Sequence, residues 1–522
     1  MVDNASPRVE IAEPLSSFFG LPSLNESFRK RGIKPVPILF HLFFKSSLDI
    51  NLTREIVRER IVKQYFRFRS QASLDSKNHL FFVEKAIEDI NLDFHVQEVA
   101  SAGWTRQDID SFSYEKYRIG RDSAFPLWNI YIFNKLENGR SCLLVDVDHA
   151  ICDGSSLLEI IVSGLLDQSQ SATPSKLDLS ASQLQSSAPS TLPSPQSSSS
   201  SSSSASSLTW SDKIITYVNG CCEPFIPPKS DTPNTLKFRP PSGDDLSSQE
   251  KVFACAEPIP LVKLKAIQKK LPGVTINDIL ATVLNLCVHR YMRDKDDPAL
   301  KSPHSLIRCC LPISTRDPNI PLKAVLGNYA GIDTFQLKFD YTSKTDLVRE
   351  IKHRIDVIKY SPYLALAAFI LTVVLNIAPL NVLLNIYKRR SVLYSISLSN
   401  VRGPAAGLTG PLFLSGHQLE DLYFVALGDM SAYFAAVSYH GSLRVSLAAV
   451  ESVVPDPSAL TVSWTQEFDA LYKEVVEEGR SGENVNSNTS SSSAVSVFGV
   501  VSIFSVMLIL IAVSAKYYYT IY

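Results

Sequence analysis

The sequence predicts a mixed α/β (α+β) fold made of two halves, each with its own mixed sheet, joined by a linker and followed by a C-terminal transmembrane helix. Three observations carry that prediction. The chain has 522 residues, 45% of them hydrophobic, enough for two ordinary cores. Strand-like runs and helix-periodic segments mix on both sides of residues 171–245, a Ser/Pro-rich stretch with an unbroken run at Ser197–Ser204. Finally, Ala494–Ala515 holds twenty-two residues without an ionisable group.

The elements follow in chain order. The first half, 1–170, lacks the basic start and apolar block of a signal peptide at its N-terminus. Pro126–Phe133 and Ser141–Val147 read as neighbouring strands around the turn Glu137-Asn138-Gly139, and helical periodicity resumes at Ser155–Leu166. Residues 171–245 are too poor in apolar side chains to offset their ordering entropy and read as a disordered linker, with Trp210–Val218 as a short docked helix within it.

The second half, 246–480, opens its main helix at Thr275-x-x-Asp278, a capping-box pattern, and carries it to about Met292. Strands are expected at Ser305–Ile313 and Val392–Leu398. A hairpin is expected at Tyr433–Tyr439 and Leu443–Val450 about His440-Gly441, then an amphipathic helix at Asp456–Glu478. Tyr363–Leu375, continued to Tyr387, is strongly apolar. It reads as a core helix or as one that dips into a membrane. After a polar spacer, 481–493, the segment 494–515 is long enough to span the ~30 Å hydrocarbon core, and Lys516 with Tyr517–Tyr519 suits the interface. That layout implies a tail anchor inserted after synthesis, with the bulk of the chain in the cytosol.

Charge excludes some functions. Lys+Arg number 51 and Asp+Glu 52, and no basic run suggests nucleic acid. The eight cysteines show no zinc-ligand spacing, so no metal is implied. No GxSxG, GxxxxGK[ST] or GxGxxG pattern occurs.

The chemistry gathers at "VDHAICDGSS". An apolar strand ends at His149, and Asp153 and Gly154 follow before a helix. Strand C-termini are where ligands meet α/β sheets. Gly154 permits a turn that a Cβ would hinder, and Ser155 is positioned to cap the helix. An imidazole with an ordinary pKa near 6.5 suits a general base. A base without its own nucleophile points to direct transfer between two substrates.

His149-Ala-Ile-Cys-Asp153-Gly154 resembles the HxxxDG motif of the CoA-dependent acyltransferase superfamily, to which chloramphenicol acetyltransferase belongs. Further segments resemble the wax ester synthase/diacylglycerol acyltransferase family: Pro126-Leu127-Trp128 its PLW motif, Asn277-Asp278 its ND motif, and Leu311–Arg316 its PVSxR strand. Gly327-Asn328 is similar to its GN turn and Ser399–Pro404 to its SNVPGP segment. Two positions depart from the family pattern. Asp148 stands where the family has a first histidine, and Arg402 where it has a proline.

The resemblance implies two chloramphenicol acetyltransferase-like halves. It further implies long-chain acyl transfer from acyl-CoA, a substrate rather than a cofactor, to a fatty alcohol or diacylglycerol, without a covalent intermediate. His149 would be the base and Asp153 a structural support ion-paired with Arg316, Arg308 being the rival partner. Asn277 would either stabilise the oxyanion or serve the helix start. Pro126, Leu127, Trp128, Asp278 and Asn400 would line the substrate sites. Asp148 would raise the His149 pKa or hold the loop. The endoplasmic reticulum membrane is the expected location, with lipid droplets or the plasma membrane as further sites. Rival readings are a short-chain or specialised-metabolite acyltransferase of the same fold and an inactive membrane-tethered lipid-binding homologue. Acceptor preference, acyl length and oligomeric state are not encoded in any recognisable motif.

Overall fold

The computed structural model describes residues 7–167, 208–225, 228–238, 249–317, 320, 326–404, 410–428 and 430–479. The serine run, the spacer 481–493 and the apolar segment 494–515 lie outside the described residues.

Two large mixed sheets, with a small antiparallel sheet of Val9–Ile11, Leu80–Glu84 and Ser70–Leu74 beside them, form the described part of the protein. The first has six strands in the order Phe413–Leu414, His417–Ala426, Pro37–Phe44, Ser141–Asp148, Trp128–Phe133, Val96–Val99. Pro37–Phe44 and Ser141–Asp148 are buried along their whole length, as near-continuous apolar runs covered on both faces should be. The second sheet runs Ala330–Gln336, Arg308–Ser314, Ile396–Val401, Ala432–Tyr439, Ser442–Val450, Lys251–Cys255, with Ile259–Pro260 pairing beside Ser442–Val450. Its core packs on the helix Ile276–Asp294, whose capping box joins Thr275 and Asp278. The expected hairpin is present, and His440 and Gly441 take the positive φ that its tight turn requires.

Four expectations need correction. The division at residue 246 is not clean, because His417–Ala426 leaves the second half and pairs antiparallel with Pro37–Phe44 in the first half's sheet. Apolar alternation marks a strand but does not name its sheet. The linker is not unstructured throughout 171–245. The short helix expected within it is present, as the capped helix Trp210–Cys222, but Asp231–Phe238 enters the second core, with Leu236 fully buried and Asp231 bound to Arg308. The strand expected at Val392–Leu398 begins only at Ile396. The helix Leu380–Leu393 consumes its start, and Asp231 accepts from the Ser395 N–H where the chain changes direction. Tyr363–Ile377 is helical, but Leu375 is its sole fully buried residue, so it is no core helix.

Among the described residues no single helix is long and apolar enough to cross a membrane. The pair Lys344–Tyr360 and Tyr363–Ile377 reaches that apolar length only across a 49° bend.

Candidate active site

The strand Ser141–Asp148 delivers His149 to the seam between the two sheets. Two backbone bonds fix the strand end: the Asp148 N–H donates to Leu127 O (3.0 Å) and the His149 N–H to Val36 O (3.0 Å). The Asp148 carboxylate is fully buried. It accepts from Ser23 Oγ (2.6 Å) and from the Ala150 N–H (2.8 Å), with Arg121 nearby at 3.7 Å. The carboxylate at this departure from the family pattern therefore holds the loop, and its charge also pulls the His149 pKa upward. Burial pushes the Asp148 pKa up, opposed by Arg121 and Ser23.

Asp153 caps the next helix itself, accepting from the Ser156 N–H at 2.9 Å, which corrects the expectation that Ser155 does so. Its other oxygen accepts from Arg316 Nη1 (2.5 Å) and from the Tyr329 N–H (3.2 Å). Arg316 also donates to Ser156 Oγ and to Gly327 O, both at 2.7 Å. Arg308, the rival partner, pairs with Asp231 instead, at 2.9 Å. One buried ion pair thus ties the histidine loop of the first half to the strand end of the second.

Gly154 does not have a positive φ, so turn freedom is not its reason. A Cβ there would lie 3.2 Å from Val401 Cγ2, and the requirement is close approach between the halves. Gly327 does use glycine's freedom, with φ +144°, and a Cβ would press into the Glu13 carboxylate.

The imidazole is held on two sides. Phe19 stacks on it with ring centroids 4.2 Å apart. His149 Nδ1 lies 2.6 Å from Asn328 Oδ1. The Asn328 amide nitrogen donates to His149 O and to Ser16 Oγ, so its oxygen faces the ring as an acceptor. Nδ1 must then carry the proton, which leaves the lone pair on Nε2. The Asn328 backbone N–H donates in turn to Glu13, which pairs with Arg67. Burial pushes Glu13 up, but Arg67, Ser16 and Asn328 outweigh it and hold the carboxyl below its usual range. Burial is also the largest influence on His149. It lowers the pKa against the opposing pull of Asp153 and Asn328, so the ring is neutral at pH 7.

His149 opens into a cleft of about 1070 Å³ between the halves, part of it open to solvent. Phe19, Ile38, Phe424 and Met430 give it apolar walls, and Ser399 and Asn400 give polar ones. Of the expected site residues, His149, Asp153, Gly154, Arg316 and Asn400 meet here.

Others do not. Pro126, Leu127 and Trp128 are buried core, with Trp128 stacked on His95 and its indole N–H donating to Phe68 O. They support the histidine strand rather than line the cleft. Asp278 is fully buried in its capping box and is no substrate ligand. Asn277 does not line the cleft. It accepts from the Asn400 amide at 2.5 Å and orients that residue. Sequence reasoning missed Phe19, Glu13 and Arg67, which lie more than eighty residues from His149. It noted Asn328 as half of a motif without its role. Among the described residues no group of three or more His, Cys, Asp or Glu side chains is arranged to hold a metal.

Comparison with known proteins shows the family and the fold. Residues 47–280 match the wax ester synthase/diacylglycerol acyltransferase catalytic domain, and residues 326–472 match the WS/DGAT C-terminal domain. The chain is 22% identical to O-acyltransferase WSD of Acinetobacter baylyi over 410 residues, which cover 76% of this chain and 84% of that one. It is 24% identical over 306 residues to a putative diacylglycerol O-acyltransferase of Mycobacterium tuberculosis, covering 55% of this chain and 59% of that relative's length. The fold matches a wax ester synthase/diacylglycerol acyltransferase from Marinobacter aquaeolei, with TM-score 0.56, 15% identity, and coverage of 90% of this chain and 100% of that one. It also matches a trichothecene 15-O-acetyltransferase from Fusarium sporotrichioides, with TM-score 0.55, 11% identity, and coverage of 88% and 95%.

Proposed function

The chain belongs to the wax ester synthase/diacylglycerol acyltransferase family, and from that premise we propose that it moves a long-chain acyl group from acyl-CoA to the hydroxyl of a fatty alcohol or diacylglycerol. The observation that carries the proposal is the fixed tautomer of His149, whose unprotonated Nε2 is the basic atom available at the cleft. Nε2 takes the hydroxyl proton as that oxygen attacks the thioester carbonyl. The tetrahedral oxyanion collapses, the C–S bond breaks, and the imidazolium returns the proton to the CoA thiolate. No group of the protein is acylated and no cofactor takes part. General base work of this kind contributes roughly 10²–10⁴-fold. Holding two substrates in one cleft adds up to ~7–11 kcal/mol.

Asn400, steadied by Asn277, supplies an amide at the cleft wall suited to the developing oxyanion. The apolar walls suit an acyl chain. The membrane anchor at 494–515 would keep the cleft at the surface where such acceptors and products partition, with the endoplasmic reticulum as its location.

The test gives wild type and His149→Ala radiolabelled palmitoyl-CoA with hexadecanol and diacylglycerol in competition. Wax ester or triacylglycerol made by wild type and lost in the variant supports the proposal and ranks the acceptors. Product from the variant removes His149 from the mechanism. Acylation of short alcohols alone overturns the long-chain acceptor.

A further inference from the structure

Polar groups gather where the strand Ile396–Val401 ends at the cleft. Ser399 and Asn400 line it there, and Val401 meets Gly154 from across the seam, beside Ser155. Asn400 is at once a cleft wall and exposed to solvent, so the cleft opens at this point.

Arg402 stands at that opening, in the position where the family pattern has a proline. Asn400 is exposed, Val401 buried and Arg402 exposed. This alternation places Asn400 and Arg402 on the same side of the chain. The backbone that carries Arg402 is fixed on both sides. Val401 pairs with Val437, and the Gly403 N–H donates to Ser438 Oγ (3.2 Å) so close to the Ser438 backbone that a Cβ has no room.

The guanidinium is unspent. Among the described residues Arg402 has no hydrogen bond, ion pair or ring contact. The basic side chains that line the cleft are His149 and Arg316, and Arg316 is committed to Asp153, Ser156 and Gly327. Neighbouring acids do not claim Arg402 either. Asp153 holds Arg316, Asp278 is buried in its capping box, and Glu159, one turn beyond Ser155, makes no ion pair with it. A cation without a partner, set on a fixed backbone at the mouth of a cleft, draws an anion to that mouth.

Of the two substrates, one is anionic. Fatty alcohols and diacylglycerol carry no charge, whereas every acyl-CoA carries phosphates beyond its pantetheine arm. Those phosphates would lose their hydration inside a cleft walled by Phe19, Ile38, Phe424 and Met430, so they stay at the opening while the thioester reaches His149.

We propose that Arg402 binds a phosphate of the acyl-CoA, which makes the opening beside Asn400 the entrance of the acyl donor. The planar guanidinium suits paired hydrogen bonds to phosphate oxygens. Arg402 thus selects and holds the donor and takes no part in the chemical step. The proposal deepens the acyl-transfer reading and rests on it for the identity of the donor.

The test titrates CoA, without acyl group or acceptor, into the full chain of wild type, Arg402→Lys, Arg402→Ala and Arg402→Glu by calorimetry. Affinity should follow side-chain charge. Lys should stay closest to wild type, Ala should bind about tenfold more weakly, and Glu more weakly again. Added salt should weaken wild type more steeply than Ala. Tm should be the same throughout, because the side chain is exposed. In turnover, Arg402→Ala should raise KM for palmitoyl-CoA with little change in kcat, and should not raise KM for palmitoyl-pantetheine, which lacks the phosphates.

Equal CoA affinity in the four proteins, or no CoA binding by wild type, overturns the proposal. A loss common to Lys, Ala and Glu together with a fall in Tm also overturns it, because Arg402 then serves the strand end. Calorimetry needs no acceptor. Charge-dependent CoA binding without wax ester or triacylglycerol would remove the long-chain acceptor and keep this site, whereas product from wild type with unchanged CoA affinities would remove this site alone.

Discussion

His149 Nδ1 and Asn328 Oδ1 lie 2.6 Å apart, although 179 residues separate them in the chain. The bond crosses from one half of the protein to the other and sets which ring nitrogen holds the proton. Asn328→Ala should therefore lower kcat by on the order of 10²-fold, the scale of misplacing a reacting group, with little change in KM. Asn328→Asp keeps an acceptor toward Nδ1 but loses the donor to Ser16 and His149 O, and should retain more activity than Ala. Steady-state kinetics with circular dichroism to confirm folding checks both.

The Asp153–Arg316 pair should behave as structure. Both side chains are about nine-tenths buried. Breaking one member of such a pair costs ~3–5 kcal/mol, because a buried charge loses its partner. Asp153→Ala and Arg316→Ala should each destabilise on that scale, and the double variant by less than their sum. Urea denaturation of the four proteins tests it; simple additivity would show that the pair does not couple the halves.

The acid limb of kcat/KM should lie below the ordinary histidine value of 6.5. Burial lowers the His149 pKa, so the neutral imidazole that catalysis needs persists to lower pH. Asp153 opposes that shift. In Asp153→Asn the residual activity should have an acid limb lower still. A limb above 6.5 in wild type would contradict the burial.

Two glycines should separate by what their Cβ would meet. At Gly154 a Cβ contacts the end of the Val401 side chain, which can give. Gly154→Ala should cost ~1–3 kcal/mol, as for modest overpacking, and Val401→Ala should relieve it. At Gly403 a Cβ would overlap the Ser438 backbone, which cannot move without distorting its strand. Gly403→Ala should be the more damaging, with no side-chain substitution at Ser438 restoring it. Thermal melts of the variants decide.

Asp148→Ala should lower Tm while leaving kcat per folded molecule nearly unchanged. It strips the partner from Ser23 and the loop N–H of Ala150 but touches neither Nε2 nor the cleft. A large kcat loss at full folding would give Asp148 a direct part in the chemistry.

Much of this was legible in the sequence itself. The mixed α/β class, the Thr275–Asp278 capped helix, the His440-Gly441 hairpin and the strand ending at His149 depend on neighbours within a few residues, where periodicity and turn chemistry act. The same local character let HxxxDG mark the loop that carries His149 and Asp153 to the cleft. Tertiary structure alone decided the rest. It placed His417–Ala426 in the other half's sheet, took Pro126–Trp128 and Asp278 out of the substrate site, and chose Arg316 over Arg308 for Asp153. It also brought Asn328 and Phe19 to the imidazole and left Tyr363–Ile377 largely half-buried. Each of these rests on contacts between residues distant in the chain, which composition and spacing do not encode. Which apolar side chain finds a partner, and which carboxylate finds a cation, is settled only when both halves close on the same cleft.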